Sequence, residues 1–283
     1  MIEHPILLGR DGRLTGLVSL PGEAATDPTP VVVLFLNAGL IHRVGPNRMY
    51  VDMARHLAGR GFPSVRYDMS GIGDSDRSPV ERSYVEQTVA DITEAMDDLE
   101  SRFGAKRFVL IGLCTGAYSA LAAAPGDERV VGCVLIDGYA YPTRKYRLKN
   151  LVWKTSQPWR WKRYALRMLG LGTNERSTAV DATLVFQPEQ LDRDSFERRI
   201  ETLTKRGCRL HISYTRFGMQ PYNYRNQFFD EFPDLDGEMV SLLYLAHADH
   251  TFALPVPRAE LISSIGDWMG RHFTSQVPET RAS

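Results

Sequence analysis

From residue 31 to residue 36 the chain reads Val-Val-Val-Leu-Phe-Leu, six apolar residues without a break. A strand with one wet face alternates apolar and polar side chains. A run with no polar position must be buried on both faces, as strands are inside a parallel sheet. It is also far shorter than the ~20 apolar residues needed to cross a bilayer. Similar short runs recur at 108–111, 130–136 and 239–245, with weaker ones at 64–67 and 210–214. Helical patterns fall between them. Val85, Val89, Ile92, Met96 and Leu99 step by four, three, four and three, which is one face of a helix. Residues 48–58, residues 117–124 and the stretch around Leu261, Ile265 and Trp268 also read as helices, the last ending near Gly270. Strands alternating with helices predict an α/β fold, a mostly parallel central sheet flanked by helices. Residues 4–20 read as a hairpin turning at Gly9-Arg10-Asp11-Gly12.

Composition narrows the function classes. The 283 residues are 43% hydrophobic and 24% charged, enough for a large buried core. The 34 Lys and Arg balance 34 Asp and Glu, so nothing marks a dedicated nucleic-acid binder. Three cysteines, Cys114, Cys133 and Cys208, make no disulfide framework and fit a reducing compartment. The start, Met1-Ile-Glu-His-Pro5, has neither the basic nor the apolar region of a signal peptide. The expectation is a cytoplasmic protein without stable membrane insertion. Nothing in the sequence calls for a cofactor or a metal.

One segment breaks the alternation. From Gly138 through Asn174 there is no Asp or Glu, but there are nine Lys and Arg, Arg144 and Lys145 among them. Trp153, Trp159 and Trp161 lie there too. Residues 138–206 therefore read as a basic, Trp-rich helical cap inserted into a core of 1–137 and 207–275. The last residues, 276–283, read as a mobile tail. Trp153, Trp159, Trp161, Arg144 and Lys145 are candidate substrate contacts. Positive charge beside tryptophan suits an anionic group carrying an apolar chain. A solvated amphipathic lid or a membrane-surface lid would look the same.

The sharpest local feature is Gly112-Leu-Cys114-Thr-Gly116, between an apolar run and an Ala-rich helix. Glycines on both sides permit a tight turn, the central residue is strained, and its side chain projects. The following helix aims its N-terminus at that side chain, a position that favours a thiolate. Later in the chain Asp249-His250-Thr251-Phe252 follows the 239–245 run. Parallel strands gather their C-terminal ends on one side, so His250 can reach Cys114. His247 reads as a surface residue. Asp68-Met-Ser-Gly71-Ile-Gly73-Asp74-Ser75 lacks the ending of a phosphate loop and reads as a tight turn, with Asp68 bonding loop backbone.

These features together resemble the α/β-hydrolase superfamily. Four match in order: Asn37-Ala38-Gly39 after an apolar strand, Asp68-x-x-Gly-x-Gly-x-Ser75, the elbow at Cys114, and Asp249-His250-Thr-Phe. The stretch from Gly39 to Arg48, with Tyr67-Asp68 and Gly71-Ile-Gly-Asp-Ser75, is similar to bacterial hydrolases that accompany exosortase systems. The Gly-x-Cys-x-Gly elbow resembles that of dienelactone hydrolases and polyhydroxyalkanoate synthases, where most of the superfamily has serine. The resemblance implies a Cys114 nucleophile, a His250 general base, and an oxyanion hole of backbone N–H groups from Thr115 and the Gly39–Leu40 loop. The superfamily's acid usually follows the strand at 210–214, but Thr215-Arg-Phe-Gly-Met-Gln220 holds no carboxylate. Asp137, ending the 130–136 run, is then the first candidate and Asp230 the second, and a Cys–His pair without an acid also works chemically.

The implied reaction is acyl transfer through an acyl-Cys114 thioester. The substrate would be an ester or thioester, with acyl–coenzyme A or an acyl group on an acidic carrier protein fitting the basic cap. A small-molecule ester or lactone hydrolase, and a non-catalytic binding protein on a hydrolase scaffold, are the alternatives.

Overall fold

In the computed structural model, residues 1–22, 31–156 and 191–274 are described. The strands are β1 (Ile2–Leu8), β2 (Leu14–Leu20), β3 (Val32–Leu36), β4 (Ser64–Tyr67), β5 (Phe108–Leu113), β6 (Val130–Ile136), β7 (Arg209–Phe217) and β8 (Val240–Asp249). They form one sheet in the order β1-β2-β4-β3-β5-β6-β7-β8. β1 pairs antiparallel with β2, and β2 antiparallel with β4; the other pairings are parallel. The helices are α1 (Met49–Gly59), α2 (Tyr84–Phe103), α3 (Thr115–Ala123), α4 (Arg144–Thr155), α5 (Arg193–Lys205), α6 (Gln227–Glu231) and α7 (Pro255–Phe273).

The unbroken apolar runs are buried on both faces, as expected. In β3, Val32, Leu34 and Leu36 enter one core cluster while Val33 and Phe35 enter the other. In β5, Phe108 and Leu110 divide from Val109, Ile111 and Leu113 in the same way. The first cluster is covered by α2, α3 and α5, and the second by α1 and α7. α2 is delimited by its own chemistry. Ser83 and Glu86 form a reciprocal capping box at its start, and Gly104 closes it in the left-handed conformation at φ 68°.

Two boundaries differ from expectation. β8 runs on through Asp249, so His247 lies on a strand and not on the following loop. A register shift between Thr215 and Phe217 lets the two neighbouring strands stay paired to Phe217 and Asp249. And α5, inside the stretch read as cap, buries Phe196, Ile200 and Leu203 against the sheet. α4 does leave the sheet: it buries no residue, and Leu148, Leu151 and Val152 are exposed. Trp159 and Trp161 lie outside the described residues.

Candidate active site

The sequence at the end of β5 leaves its backbone little choice. A Cβ on Gly112 would stand 2.0 Å from the carbonyl carbon of Gly116, and one on Gly116 would stand 2.7 Å from the Leu36 carbonyl oxygen. With both glycines, α3 starts directly against β3 and β5. Cys114 sits at the bend with φ 55° and ψ −115°, a conformation non-glycine residues seldom adopt. Its N–H is held by the Ile136 carbonyl at 2.9 Å. The thiol is half-buried at the head of α3.

Asp137 follows β6 and is 1% exposed. It too has positive φ, 45°, which turns the carboxylate toward β7 and β8. Oδ1 accepts the Thr215 N–H at 2.7 Å, and Oδ2 accepts the Thr215 hydroxyl at 2.6 Å. Oδ2 also meets His250 Nδ1 at 2.9 Å. The Cys114 side chain acts on the same imidazole. Asp137, His250 and Cys114 thus come together across the C-terminal ends of β6, β8 and β5. The bond to Asp137, followed by the influence of the Cys114 side chain, raises the His250 pKa from 6.5 to about 10 against the opposing effect of burial.

Gly218 explains how the acid fits where it does. A Cβ there would stand 2.8 Å from Asp137 Oδ2 and from the Thr215 hydroxyl. The bare backbone in the loop that the superfamily's acid usually occupies makes room for a carboxylate arriving from β6. Asp230, the second candidate, lies on α6, half-exposed, with Lys145 Nζ 3.5 Å away, and it does not join that group. His247 is exposed and pairs with Glu260 at 3.2 Å.

Of the expected oxyanion donors, the Gly39 N–H is already engaged. The Thr115 N–H is in the first turn of α3, where no intrahelical acceptor exists. The Gly39 N–H donates to the Thr115 hydroxyl at 2.5 Å. A substrate oxygen would exchange with that hydroxyl. Leu40 projects outward, 61% exposed. Behind this loop Asp68 is fully buried and accepts from Asn37 Nδ2 at 3.1 Å, from the Arg43 N–H at 2.5 Å and from the Arg43 guanidinium. Asp68 therefore fixes the loop, the role its motif suggested.

Sequence reasoning missed several contacts. Thr215 grips both carboxylate oxygens of Asp137. Gln220 Nε2 donates to the Tyr118 hydroxyl at 2.5 Å. No spacing rule links residues so far apart in the chain. A half-open cavity of about 790 Å³ lies between α4 and residues 216–223, lined by Tyr146, Lys149, Trp153, Arg216, Phe217 and Met219 among others. Trp153 thus faces the cavity. Arg144 and Lys145 do not line it; Lys145 stands over the Tyr224 ring at 4.4 Å, next to Asp230. Neither Cys114 nor His250 lines it, but Gln220 and Gly218 belong to its wall and touch the catalytic side through Tyr118 and Asp137.

The comparisons with known proteins agree with this architecture. The model of the alpha/beta hydrolase fold family matches residues 31–251. The chain belongs to that family, and it is a hydrolase-family enzyme. Among solved structures it is similar to the GrgF alpha/beta hydrolase from a Penicillium species, with 14% identity, a TM-score of 0.63, and 96% of this chain and 99% of that one covered. It is also similar to the Pyrococcus furiosus esterase Pf2001, with 14% identity, a TM-score of 0.60, and coverage of 96% and 91%. A third is XC6422 from Xanthomonas campestris, a serine hydrolase without a lid, with 15% identity, a TM-score of 0.57, and coverage of 97% and 95%. No curated protein matches the sequence. Among the described residues no helix is long and apolar enough to cross a membrane, and no cluster of side chains could hold a metal ion.

Proposed function

We propose that the protein is a cysteine-dependent acyl hydrolase or transacylase working through an acyl-Cys114 thioester. The observation that carries this reading is the Asp137–His250 hydrogen bond, with the imidazole under the influence of a thiol held at a strained strand–helix turn. The Cys114 proton passes to His250, or already rests there with the pair as thiolate and imidazolium, and the sulfur attacks the substrate carbonyl carbon. The carbonyl electrons move onto oxygen, which the N–H groups of Thr115 and the Gly39–Leu40 loop receive. Losing one such donor typically costs about 3 kcal/mol of transition-state stabilisation. The tetrahedral species collapses, the bond to the leaving group breaks, and His250 returns its proton to that group. Water, deprotonated by His250, then attacks the thioester and releases the acid and the free thiol; another nucleophile in place of water makes the reaction a transfer. Asp137 holds the imidazole in one tautomer and stabilises its charged form.

The substrate class follows from the neighbouring cavity. Lys149 and Arg216 supply positive charge, while Trp153, Phe217 and Met219 supply apolar surface. That combination suits an acyl thioester on coenzyme A or on an acidic carrier protein better than a small neutral ester. It also agrees with the resemblance of residues 39–48 to hydrolases of exosortase systems. A free thiol nucleophile is best kept in a reducing, cytoplasmic setting. A panel of acyl–coenzyme A, acyl-carrier and p-nitrophenyl esters tests the assignment. Turnover should favour the thioesters and vanish in Cys114→Ala with the fold intact. Preference for the small esters would move the protein to simple ester hydrolysis.

A further inference from the structure

A second cavity lies away from the thiol, between the start of α1 and the loops after β3 and β4. It holds about 430 Å³, within the range of small-ligand sites. Four guanidinium groups line it: Arg43, Arg48, Arg55 and Arg66. Arg43 stands between two carboxylates, Asp74 at 2.7 Å and buried Asp68. Arg55 and Arg66 share the single carboxylate of Glu3, at 2.6 and 3.0 Å. Asp52 acts on Arg55 from outside and is itself turned toward Arg258. Arg48 forms no ion pair among the described residues. Four guanidinium groups therefore stand against three carboxylates, Glu3, Asp68 and Asp74, an excess of one positive charge.

Arg66 is the telling member. It is 3% exposed, and its Nε is buried with no acceptor among the described residues. Burying an open guanidinium donor is costly unless something accepts from it. Burial first, then the neighbouring Arg55 and Arg43, weaken its hold on its proton. Leu17, Val44 and Val51 give the same cavity an apolar wall.

We infer that this cavity is a second binding site, for a small phosphorylated metabolite whose phosphate lies against Arg48 and Arg55, with buried Arg66 adding its charge from the wall. The excess of positive charge draws an anion, and guanidinium forks match phosphate oxygens. The apolar wall would seat the organic body. The site uses no residue of the Cys114 chemistry.

Calorimetric titration of the full chain tests this with three probes: inorganic phosphate, glycerol 3-phosphate and adenosine monophosphate. Succinate and sodium chloride at equal ionic strength are the controls. We expect saturable one-site binding of the phosphates, tighter for at least one organic phosphate than for the bare ion. Arg48→Gln and Arg55→Gln should each weaken it about tenfold or more, and Cys114→Ala should leave it unchanged. Arg48 is exposed, so its variant should fold as the parent does. The inference is overturned if no phosphate binds saturably, or if succinate binds as well. It is equally overturned if both arginine variants bind like the parent, if Cys114→Ala abolishes binding, or if the organic body adds nothing.

Discussion

Thr215 shows how much of the site depends on one side chain outside the reacting trio. Its hydroxyl and N–H hold both oxygens of Asp137, and Asp137 holds His250. Thr215→Val removes the hydroxyl but keeps the shape. Turnover should fall by about tenfold, and the basic limb of the pH–rate profile should move to lower pH. A fall in turnover with an unmoved profile would mean a general loss of structure. Asp137→Asn goes further. It leaves the imidazole with the wrong partner and should cost about 10² to 10⁴ in turnover, with folded content unchanged by circular dichroism. At this scale Cys114 and His250 were legible because each sits in a short motif at a strand end. Asp137 was legible as one candidate of two. Thr215 and Gly218 were not, because their roles come from a carboxylate 78 positions away from Thr215 in the chain.

The elbow is a property of an element pair. β5 and α3 approach so closely that a Cβ at Gly112 would overlap the Gly116 backbone. Gly112→Ala should therefore lose the folded state or push α3 off the sheet, seen as loss of soluble protein or a collapsed melting transition. Ser83→Ala is the milder test. It removes the N-cap of α2 and should cost about 1 kcal/mol in a urea titration without changing turnover. Elements were read well wherever strands are buried on both faces, because an unbroken apolar run has few other fates. α5 escaped because its three buried residues, Phe196, Ile200 and Leu203, are scattered among ten polar or charged ones. The helical period was there, but charge density drew the segment into the cap. β8 was cut short because its last residues, Ala246 to Asp249, read as a loop, although the ladder to β7 carries them.

For the whole molecule, the Asp137–His250 pair links chemistry to stability. Folding raises the His250 pKa from 6.5 to about 10, so the folded state binds this proton more tightly than the unfolded chain. The stabilisation is fully present below the ordinary value of 6.5 and is lost as pH rises toward 10. The stability gap between the parent and His250→Gln should thus be largest near about pH 6 and shrink by about pH 10. A gap that widened with pH would mean that folding favours the neutral imidazole.

The central claim is the covalent one. Intact-protein mass spectrometry after rapid acid quench, with an acyl thioester at saturating concentration, reads it directly. The account predicts an added acyl mass located on the Cys114 peptide, decaying as product appears and missing in Cys114→Ala. Steady turnover by Cys114→Ala at the parent's rate, or turnover without acyl mass on that peptide at any quench time, would contradict it.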